Sequence, residues 1–394
     1  MPEQPFRLSN RAAGIGTSIF TEISRLAVEH NAVNLGQGFP DFPAPEFVKA
    51  AACLAITDNE NQYAPSPGLP RLRKAIAAHW QRRHDQNLDA NEEITVTQGA
   101  TEALFATAMG LLNPGDEAIV FEPFYDAYVP DIQMAGAVPR FVRLHPPYWK
   151  FRPEELAAAF SSRTKLVFIN TPHNPTGKVF SVPELEVIAE LARKHNAIVV
   201  SDEVYSELTF GTAKHVPIAT LPGMSERTVT IDSIGKTFSV TGWKIGWTIA
   251  PPALTKAIRA THQFITFCNA TPLQHAAAVA LEQAESYGYY DELRRTYDVR
   301  RKTLTAILNQ VGLPPLHVDG SYFLLADISK QPFSSDTAFC KHLIQDIGVA
   351  AIPPSYFYAN PKSAPALARF CFAKLDTTLA EAGERLAALP SAKL

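Results

Sequence analysis

The sequence predicts an α/β protein with a large domain built on a mostly parallel sheet and a small α+β domain made from both chain ends. Two observations support this class. Short apolar runs alternate with helical patterns through the middle of the chain, as in βα units, and 394 residues exceed the usual size of one core. We expect residues 1–45 to join the small domain, 46–285 to form the large domain and 286–394 to form the small C-terminal domain.

The apolar runs are predicted as strands because a strand covered on both faces reads as a continuous hydrophobic segment. The predicted strands are Ile94–Thr97, Ala118–Phe121, Lys165–Ile169, Ala197–Ser201, Thr228–Ile231 and Gly246–Ala250. The predicted helices are Ile19–Glu29, Thr101–Leu112, Val182–His195, Ala253–Phe264 and a long charged helix at Glu292–Val311.

Composition and motifs disfavour several function classes. A net charge of −3 without a basic run gives no sign of nucleic-acid or membrane binding. G-x-G-x-x-G and the P-loop pattern are both absent, which disfavours dinucleotides and ATP, and the histidines lack metal-ligand spacing. Met1–Arg7 has no apolar h-region and the four cysteines are scattered, so we expect a reduced, cytoplasmic protein without a signal peptide.

The segment Ser233–Trp247 carries two lysines among small and hydroxyl residues. Lys236 lies in a turn where a lysine can form an imine with an aldehyde cofactor. Lys244 and the nearby hydroxyls could hold that cofactor's phosphate. Because Ser233 precedes Lys236 by three positions, a Ser-Lys hydrolase is an alternative, although the S-D-N and K-T-G companions are missing.

Two further segments follow predicted strands, at the edge where open α/β sheets bind ligands. Asp202 could pair with a protonated ring nitrogen and Tyr205 could reach a neighbouring oxygen, while the alternative for Asp202-Glu203 is a helix cap beside a surface acid. Asn174 lies between prolines in a rigid turn and offers an amide donor, although such a motif is often only a turn.

The remaining candidates concern anions. Gly99, Ala100 and Thr101 lie where a strand ends and a helix begins, a place that suits a phosphate. Arg369 lies inside an apolar strand, where its planar fork suits a substrate carboxylate. An internal ion pair is the alternative for Arg369.

Taken together, the order and spacing of these segments resemble pyridoxal-phosphate enzymes of fold type I, specifically class I/II aminotransferases. Within that class the chain looks most like the kynurenine aminotransferase and methionine aminotransferase group. The supporting segments are Leu35–Pro43, Asn61–Tyr63, Glu122–Asp126, Gly242–Lys244 and Arg369–Phe372, and Ser18–Thr21 is similar to the methionine-preferring bacterial members. The resemblance implies a seven-stranded sheet, bound pyridoxal phosphate and a homodimer with active sites at the subunit interface.

The resemblance also implies roles for single residues. Lys236 forms the imine with the cofactor and later moves the substrate proton, Asp202 pairs with the pyridine nitrogen, and Tyr125 stacks on the ring. Asn174 and Tyr205 bind the ring oxygen. The implied phosphate group comprises Gly99, Ala100, Thr101, Ser233, Lys244 and, from the other subunit, Tyr63. The implied substrate group comprises Arg369, Asn174 and Gly38 for the carboxylate, with Ile19, Phe20, Tyr125, Tyr356 and the other subunit's Phe267 around the side chain.

The implied reaction moves the amino group of an L-amino acid to a 2-oxo acid by ping-pong kinetics. We expect a donor with a large uncharged side chain, such as methionine, an aromatic residue or glutamine, because no second arginine is placed for a distal carboxylate. Cys268 stands where some kynurenine-type members have histidine, which argues against kynurenine as the preferred donor and leaves it a possible one. The alternatives are a β-lyase acting on cysteine conjugates and, more distantly, an aminotransferase-like regulator.

Overall fold

The computed structural model describes residues 9–13 and 16–389, and its centre is a seven-stranded sheet. Numbering the strands along the whole chain, the sheet order is β2-β8-β7-β6-β5-β3-β4, and β8 alone runs antiparallel to its neighbours. These strands are β2 Ile94–Gln98, β3 Glu117–Glu122, β4 Val138–Arg143, β5 Thr164–Asn170, β6 Ile198–Asp202, β7 Thr228–Ser233 and β8 Ile245–Ile249. All six strands predicted from apolar runs are confirmed, and the mostly parallel seven-stranded sheet confirms the predicted fold class.

The seventh strand, β4, escaped prediction because it does not read as a buried run. Its sequence is V-P-R-F-V-R, and only Val142 is fully buried. An edge strand pairs on one side only, so it tolerates Pro139 and two arginines. Edge strands such as β4 therefore lack the continuous apolar run of central strands.

Alternate residues of the central strands feed two separate cores, one on each face of the sheet. On β3, Ile119 and Phe121 pack with one set of helices, whereas Ala118 and Val120 pack with the other. The sheet is therefore covered on both faces, which explains why its inner strands are apolar throughout. Strand side chains are removed from water on both faces, and only the strand ends remain available for chemistry.

Helices surround the sheet and extend beyond it. The longer helices are α2 Ile19–Glu29, α3 Glu46–Thr57, α4 Pro70–His84, α5 Gly99–Leu111, α8 Val182–Lys194, α10 Pro252–Ile265, α11 Thr271–Gln283, α12 Tyr289–Gln310 and α14 Asp376–Leu386. The shorter ones are α1 Asn10–Ala13, α6 Tyr128–Met134, α7 Pro153–Ala159, α9 Ile234–Thr237 and α13 Asp336–His342, which continues into a π-helical turn at Leu343–Ile347. All five predicted helices are present.

Two small sheets lie outside the central sheet, and one of them pairs an early strand with a late one. Strand β1 (Val33–Asn34) pairs in parallel with β10 (Val349–Ala350), and β9 (Phe323–Asp327) pairs antiparallel with β11 (Leu367–Cys371). A further hydrogen bond runs from the Cys371 amide to the Leu35 carbonyl, at 2.7 Å. The loop that follows β1 is therefore held beside β11.

The described helices and the first residues of the chain are considered next. In the part of the chain that the structure describes, no helix is long and apolar enough to cross a bilayer. Met1–Arg7, on which the expectation of no signal peptide depends, lies outside the described residues.

Candidate active site

A cavity of about 280 Å³ lies at the carboxyl ends of β5, β6 and β7, facing the first turn of α5. Strand ends gather polar side chains there because parallel strands finish at one edge of the sheet. The predicted site residues that line the cavity are Phe20, Gly38, Gly99, Ala100, Thr101, Tyr125, Asn174, Asp202, Tyr205, Ser233, Lys236, Lys244 and Arg369. Residues from the whole length of the chain thus meet in one space.

Lys236 extends from α9, the short helix directly after β7. Its amine donates hydrogen bonds to the Tyr322 hydroxyl, at 2.9 Å, and to the Gly38 carbonyl, at 3.2 Å. Burial lowers the pKa of Lys236 to about 8. The negative charge of Asp202 acts in the other direction and limits this fall. The Lys236 amine is not hydrogen-bonded to Ser233, so the structure does not form the pair that a Ser-Lys hydrolase requires.

Asp202 ends β6, and its carboxylate is buried in the cavity wall. The Tyr128 hydroxyl donates to Asp202 Oδ2 at 2.7 Å, and the Val204 amide lies 3.4 Å from Oδ1. Burial raises the pKa of Asp202 to about 6, and the Tyr128 hydrogen bond opposes that rise. Glu203 is buried too and pairs with His215, so the alternative of a capping residue beside a surface acid is wrong.

Arg369 is fully buried in β11 and has no carboxylate partner among the described residues. Its guanidinium donates to Asn174 Oδ1, at 2.8 Å, and to the Gly36 carbonyl, at 2.9 Å, while its Nε has no partner. Its flat face lies 4.0 Å from the centre of the Phe323 ring. The alternative of an internal ion pair is therefore wrong for Arg369, and both terminal nitrogens keep an N–H group that can bind an anion.

Asn174 is held in position by two hydrogen bonds of its own. Its backbone N–H donates to Asn170 Oδ1 at 2.6 Å, and its side-chain oxygen accepts from Arg369. The Arg369 bond fixes which end of the side-chain amide is the oxygen, and the Nδ2 hydrogens remain available for an acceptor in the cavity. Asn174 is therefore more than a turn residue.

The opposite end of the cavity is suited to a phosphate. The first N–H groups of helix α5, which begins at Gly99, have no partner within the helix, and the side chain of Gln98 does not cap them. Lys244 donates to Thr101 Oγ1 at 3.0 Å, and pairs with no acid in the described chain. A methyl group on Gly246 would stand 2.6 Å from the Gly99 carbonyl carbon, so only glycine lets β8 approach this turn.

Glu102, an acid in the first turn of α5, would repel a phosphate if it faced the cavity. It pairs instead with the buried His262, at 2.7 Å. This pairing directs the acidic charge away from the anion site.

Four predicted residues do not line the cavity. Ile19 is on the core face of α2 and packs with residues such as Ile344 and Ile352. Phe20, the next residue, lies on the face of α2 that lines the cavity. Tyr356 is half-exposed elsewhere. Tyr63 and Phe267, both expected to serve the other subunit, are exposed and contact each other edge to face at 5.5 Å.

Tyr128, Tyr322 and Phe323 contact site residues and are among those that the sequence did not predict. Tyr128 begins α6, three residues after Tyr125, and reaches Asp202 from outside the cavity. Tyr322 and Phe323 lie at the start of β9, the partner of the strand that carries Arg369. Tyr322 and Phe323 could have been predicted only by knowing that β9 pairs with β11, and the sequence does not show that pairing.

The cavity contains the groups that pyridoxal phosphate needs. A lysine amine with a lowered pKa can bond an aldehyde, and a buried carboxylate can face a ring cation. A helix start and a free lysine can face a phosphate. In the chain as described, no cluster of histidine, cysteine or acidic side chains could hold a metal ion.

Comparisons with known proteins agree with this geometry. Residues 30–386 match the family model described as aminotransferase class I and II. Kynurenine–oxoglutarate transaminase of Dictyostelium discoideum is 43% identical, and the alignment covers 97% of this chain and 96% of that protein. Two solved structures are also similar over 98% of this chain and 100% of theirs. They are an Escherichia coli protein with a methionine aminotransferase function (40% identity, TM-score 0.93) and N-succinyldiaminopimelate aminotransferase of Mycobacterium tuberculosis (42%, TM-score 0.94).

Proposed function

The chain belongs to the class I and II aminotransferase family and is an aminotransferase, and from that premise we propose its cofactor, its substrate class and the roles of its residues. The cofactor is pyridoxal 5'-phosphate. The amino donor is an L-amino acid with a large uncharged side chain, and the acceptor is a 2-oxo acid.

One observation carries the substrate assignment: Arg369 is a buried cation without an anion in the described chain. Burying an unpaired charge is unfavourable, so such a group is kept where a ligand completes it. An α-carboxylate matches the guanidinium fork in charge and shape. The hydrogen bonds to Asn174 and Gly36 hold the fork in place before the substrate arrives.

The cofactor, when bound, supplies an aldehyde for the substrate's amine and an electron sink next to it. Lys244, Ser233 and the first turn of α5 hold its phosphate. Asp202 would accept a hydrogen bond from the protonated ring nitrogen and keep it protonated, and its burial away from water would strengthen that contact. Asn174 and Tyr205 donate to the ring oxygen, and Tyr125 covers the ring face.

Lys236 moves the proton during amino transfer. Because burial brings its pKa to about 8, a useful fraction of the amine is neutral at physiological pH and can accept a proton at Nζ. The resulting ammonium can return that proton. An ordinary lysine, with a pKa near 10.4, would be protonated almost completely.

The cavity walls support an uncharged donor side chain. Phe20, Phe39 and Phe323 contribute apolar surface. Among the described residues that line the cavity, Arg369 is the sole arginine. A donor with a second carboxylate therefore lacks a matching fork.

A homodimer would complete the site. Tyr63 is 83% exposed and Phe264 is 85% exposed, with Phe267 half-exposed beside Tyr63. Exposed aromatic clusters of this kind mark protein interfaces. In this proposal Tyr63 of each subunit reaches the cofactor phosphate of the other. Residues 46–285 form the domain that holds the cofactor. The enzyme is cytoplasmic.

The testing experiment measures kcat/KM for a panel of amino donors against one 2-oxo acid. We expect methionine, phenylalanine and glutamine to exceed aspartate, and a clear preference for aspartate would contradict the pocket argument. Release of pyruvate and ammonia without amino transfer would identify a β-lyase instead. Loading with pyridoxal phosphate should give visible absorption that disappears in Lys236→Ala, and its persistence would refute the assignment of Lys236.

A further inference from the structure

Tyr322 is the one hydroxyl group that contacts the Lys236 amine in the described structure. It lies at the junction of β9 and the cavity and is completely buried. Its ring is held by Tyr205, whose plane lies at 85° with a centroid distance of 5.0 Å, and by Tyr297 behind it. Such a ring has little freedom to turn its hydroxyl elsewhere.

The direction of the hydrogen bonds follows from the donors available. The Tyr322 hydroxyl donates its single proton to the Gly38 carbonyl, at 2.5 Å, so toward Lys236 it can only accept. The Gly38 carbonyl also accepts from Lys236, at 3.2 Å. The lysine nitrogen therefore has two acceptors beside it and receives no proton from either.

Two acceptors determine how a neutral amine is oriented. A neutral amine carries two N–H bonds and one lone pair, and if both N–H bonds go to Gly38 and Tyr322, the lone pair points away from both. Tyr322 does not line the cavity, whereas Gly38 and Lys236 both line it, so the amine is held at the cavity wall.

The backbone at Gly38 is required for this arrangement. A methyl group there would stand 2.7 Å from Phe323 Cζ and 3.4 Å from the Tyr322 ring. Any side chain would push the loop away from Tyr322. The carbonyl can reach both partners because residue 38 is glycine.

We propose that Tyr322 is a further catalytic residue: its hydroxyl oxygen and the Gly38 carbonyl form a two-acceptor seat for the Lys236 amine. The seat holds the amine, with its lone pair directed away from both acceptors, during the half of the cycle in which that amine is not bonded to the cofactor. This inference rests on the proposed function and adds a group that acts directly on the reactive nitrogen.

The seat also affects the charge state of Lys236. The titratable and charged groups around that amine are Asp202, Tyr205, Lys244, Tyr322, Arg369 and Cys371. Of these, Tyr322 is the one that bonds the amine directly. Removing its oxygen withdraws an acceptor from the ammonium form, so the pKa of Lys236 should fall further.

The test compares Tyr322→Phe with the wild type, using full-length protein loaded with pyridoxamine 5'-phosphate, in which the lysine is free. Trace acetylation with acetic anhydride across a pH series, followed by mass spectrometry of the Lys236 peptide, gives the midpoint at which the amine becomes reactive. The wild-type midpoint should lie near pH 8. In Tyr322→Phe it should fall by about one pH unit, the size expected for one hydrogen bond to a charged group.

Tyr297→Phe is the matched control, because Tyr297 is an equally buried tyrosine that stacks on Tyr322 without bonding Lys236. Its midpoint should match the wild type. An unchanged or raised midpoint in Tyr322→Phe, or an equal fall in both variants, would overturn the proposal. Repeating the labelling on the cofactor-free chain separates the two ideas: a shift there without any amino transfer by the wild type would leave the seat standing and remove the proposed function.

Discussion

Replacing Arg369 by lysine keeps the buried positive charge and removes the planar fork. Nη1 of the guanidinium already donates to Asn174 and Nη2 donates to Gly36, and each of these nitrogens keeps a second N–H for a substrate carboxylate. A lysine is a point charge with no fixed plane, so it can satisfy one carboxylate oxygen well but not two. The variant thus isolates the value of bidentate binding.

The expected loss can be worked from the bonds involved. A hydrogen bond to a charged group contributes about 1.5–3 kcal/mol, and the variant loses one of the two that the fork makes to a carboxylate. Since about 1.4 kcal/mol is a factor of ten, kcat/KM should fall roughly 10- to 150-fold. The fall should be similar for every α-amino acid donor, because all share the carboxylate.

The assay pairs L-methionine with its decarboxylated amine, 3-(methylthio)propylamine, each against the same 2-oxo acid. The wild type should strongly prefer the amino acid. In Arg369→Lys the amino acid should lose activity while the amine changes little, and the ratio of the two losses measures the coupling between Arg369 and the carboxylate.

Arg73→Lys is the control, since Arg73 is also buried and donates to the carbonyls of Gly68 and Ala90 away from the cavity. It should leave the donor preference unchanged. The reasoning is refuted if Arg369→Lys retains wild-type kcat/KM for methionine, or if the amine loses as much activity as the amino acid.

Three further predictions follow from other contacts. Tyr128→Phe removes a donor from Asp202, so the carboxylate should hold its proton to a pH above its present pKa of about 6; titration of cofactor-free protein with pyridoxal phosphate should show the acid-side loss of affinity moving up by about one pH unit. Phe264→Asp should convert a dimer to a monomer in sedimentation and lower activity, whereas Val299→Asp on α12 should do neither. Arg140 and Arg163 hold the pKa of Glu117 at about 2, so Glu117→Gln should lower the melting temperature at pH 7; this difference should disappear as the pH falls from about 4.5 to 2, where wild-type Glu117 takes up its proton.

The central sheet was predictable because burial on both faces leaves a one-dimensional trace in the sequence. The six strands in apolar runs could be read directly, but β4 could not, since its outer edge is solvated and it carries Pro139. The small sheets were not predictable either. The strand Val33–Asn34 has only two residues, and its pairing with Val349–Ala350 joins positions more than three hundred apart.

Some residues of the candidate site could likewise be predicted from the sequence, and others could not. Lys236, Asp202 and Asn174 each come at the end of an apolar strand, so their meeting at one edge could be inferred from the order of elements. Tyr128 and Tyr322 could not, because a tyrosine in an apolar setting looks like any core residue until its hydroxyl partner is known. Ile19 and Phe20 show the limit at single-residue scale: a turn of about 100° on α2 separates a core residue from a cavity residue.

The position of Arg369 near the end of the chain has a consequence for how the enzyme is made. Every group assigned to the cofactor lies between Tyr63 and Lys244, whereas the carboxylate fork and its β9 neighbours are synthesised later. Domains tend to fold as units in the order of their synthesis, and contacts between distant parts of a chain form slowly. Under the proposed assignment, a nascent chain would therefore acquire its cofactor residues before its carboxylate fork, and substrate recognition would be completed only when β11 joins the loop at Gly36.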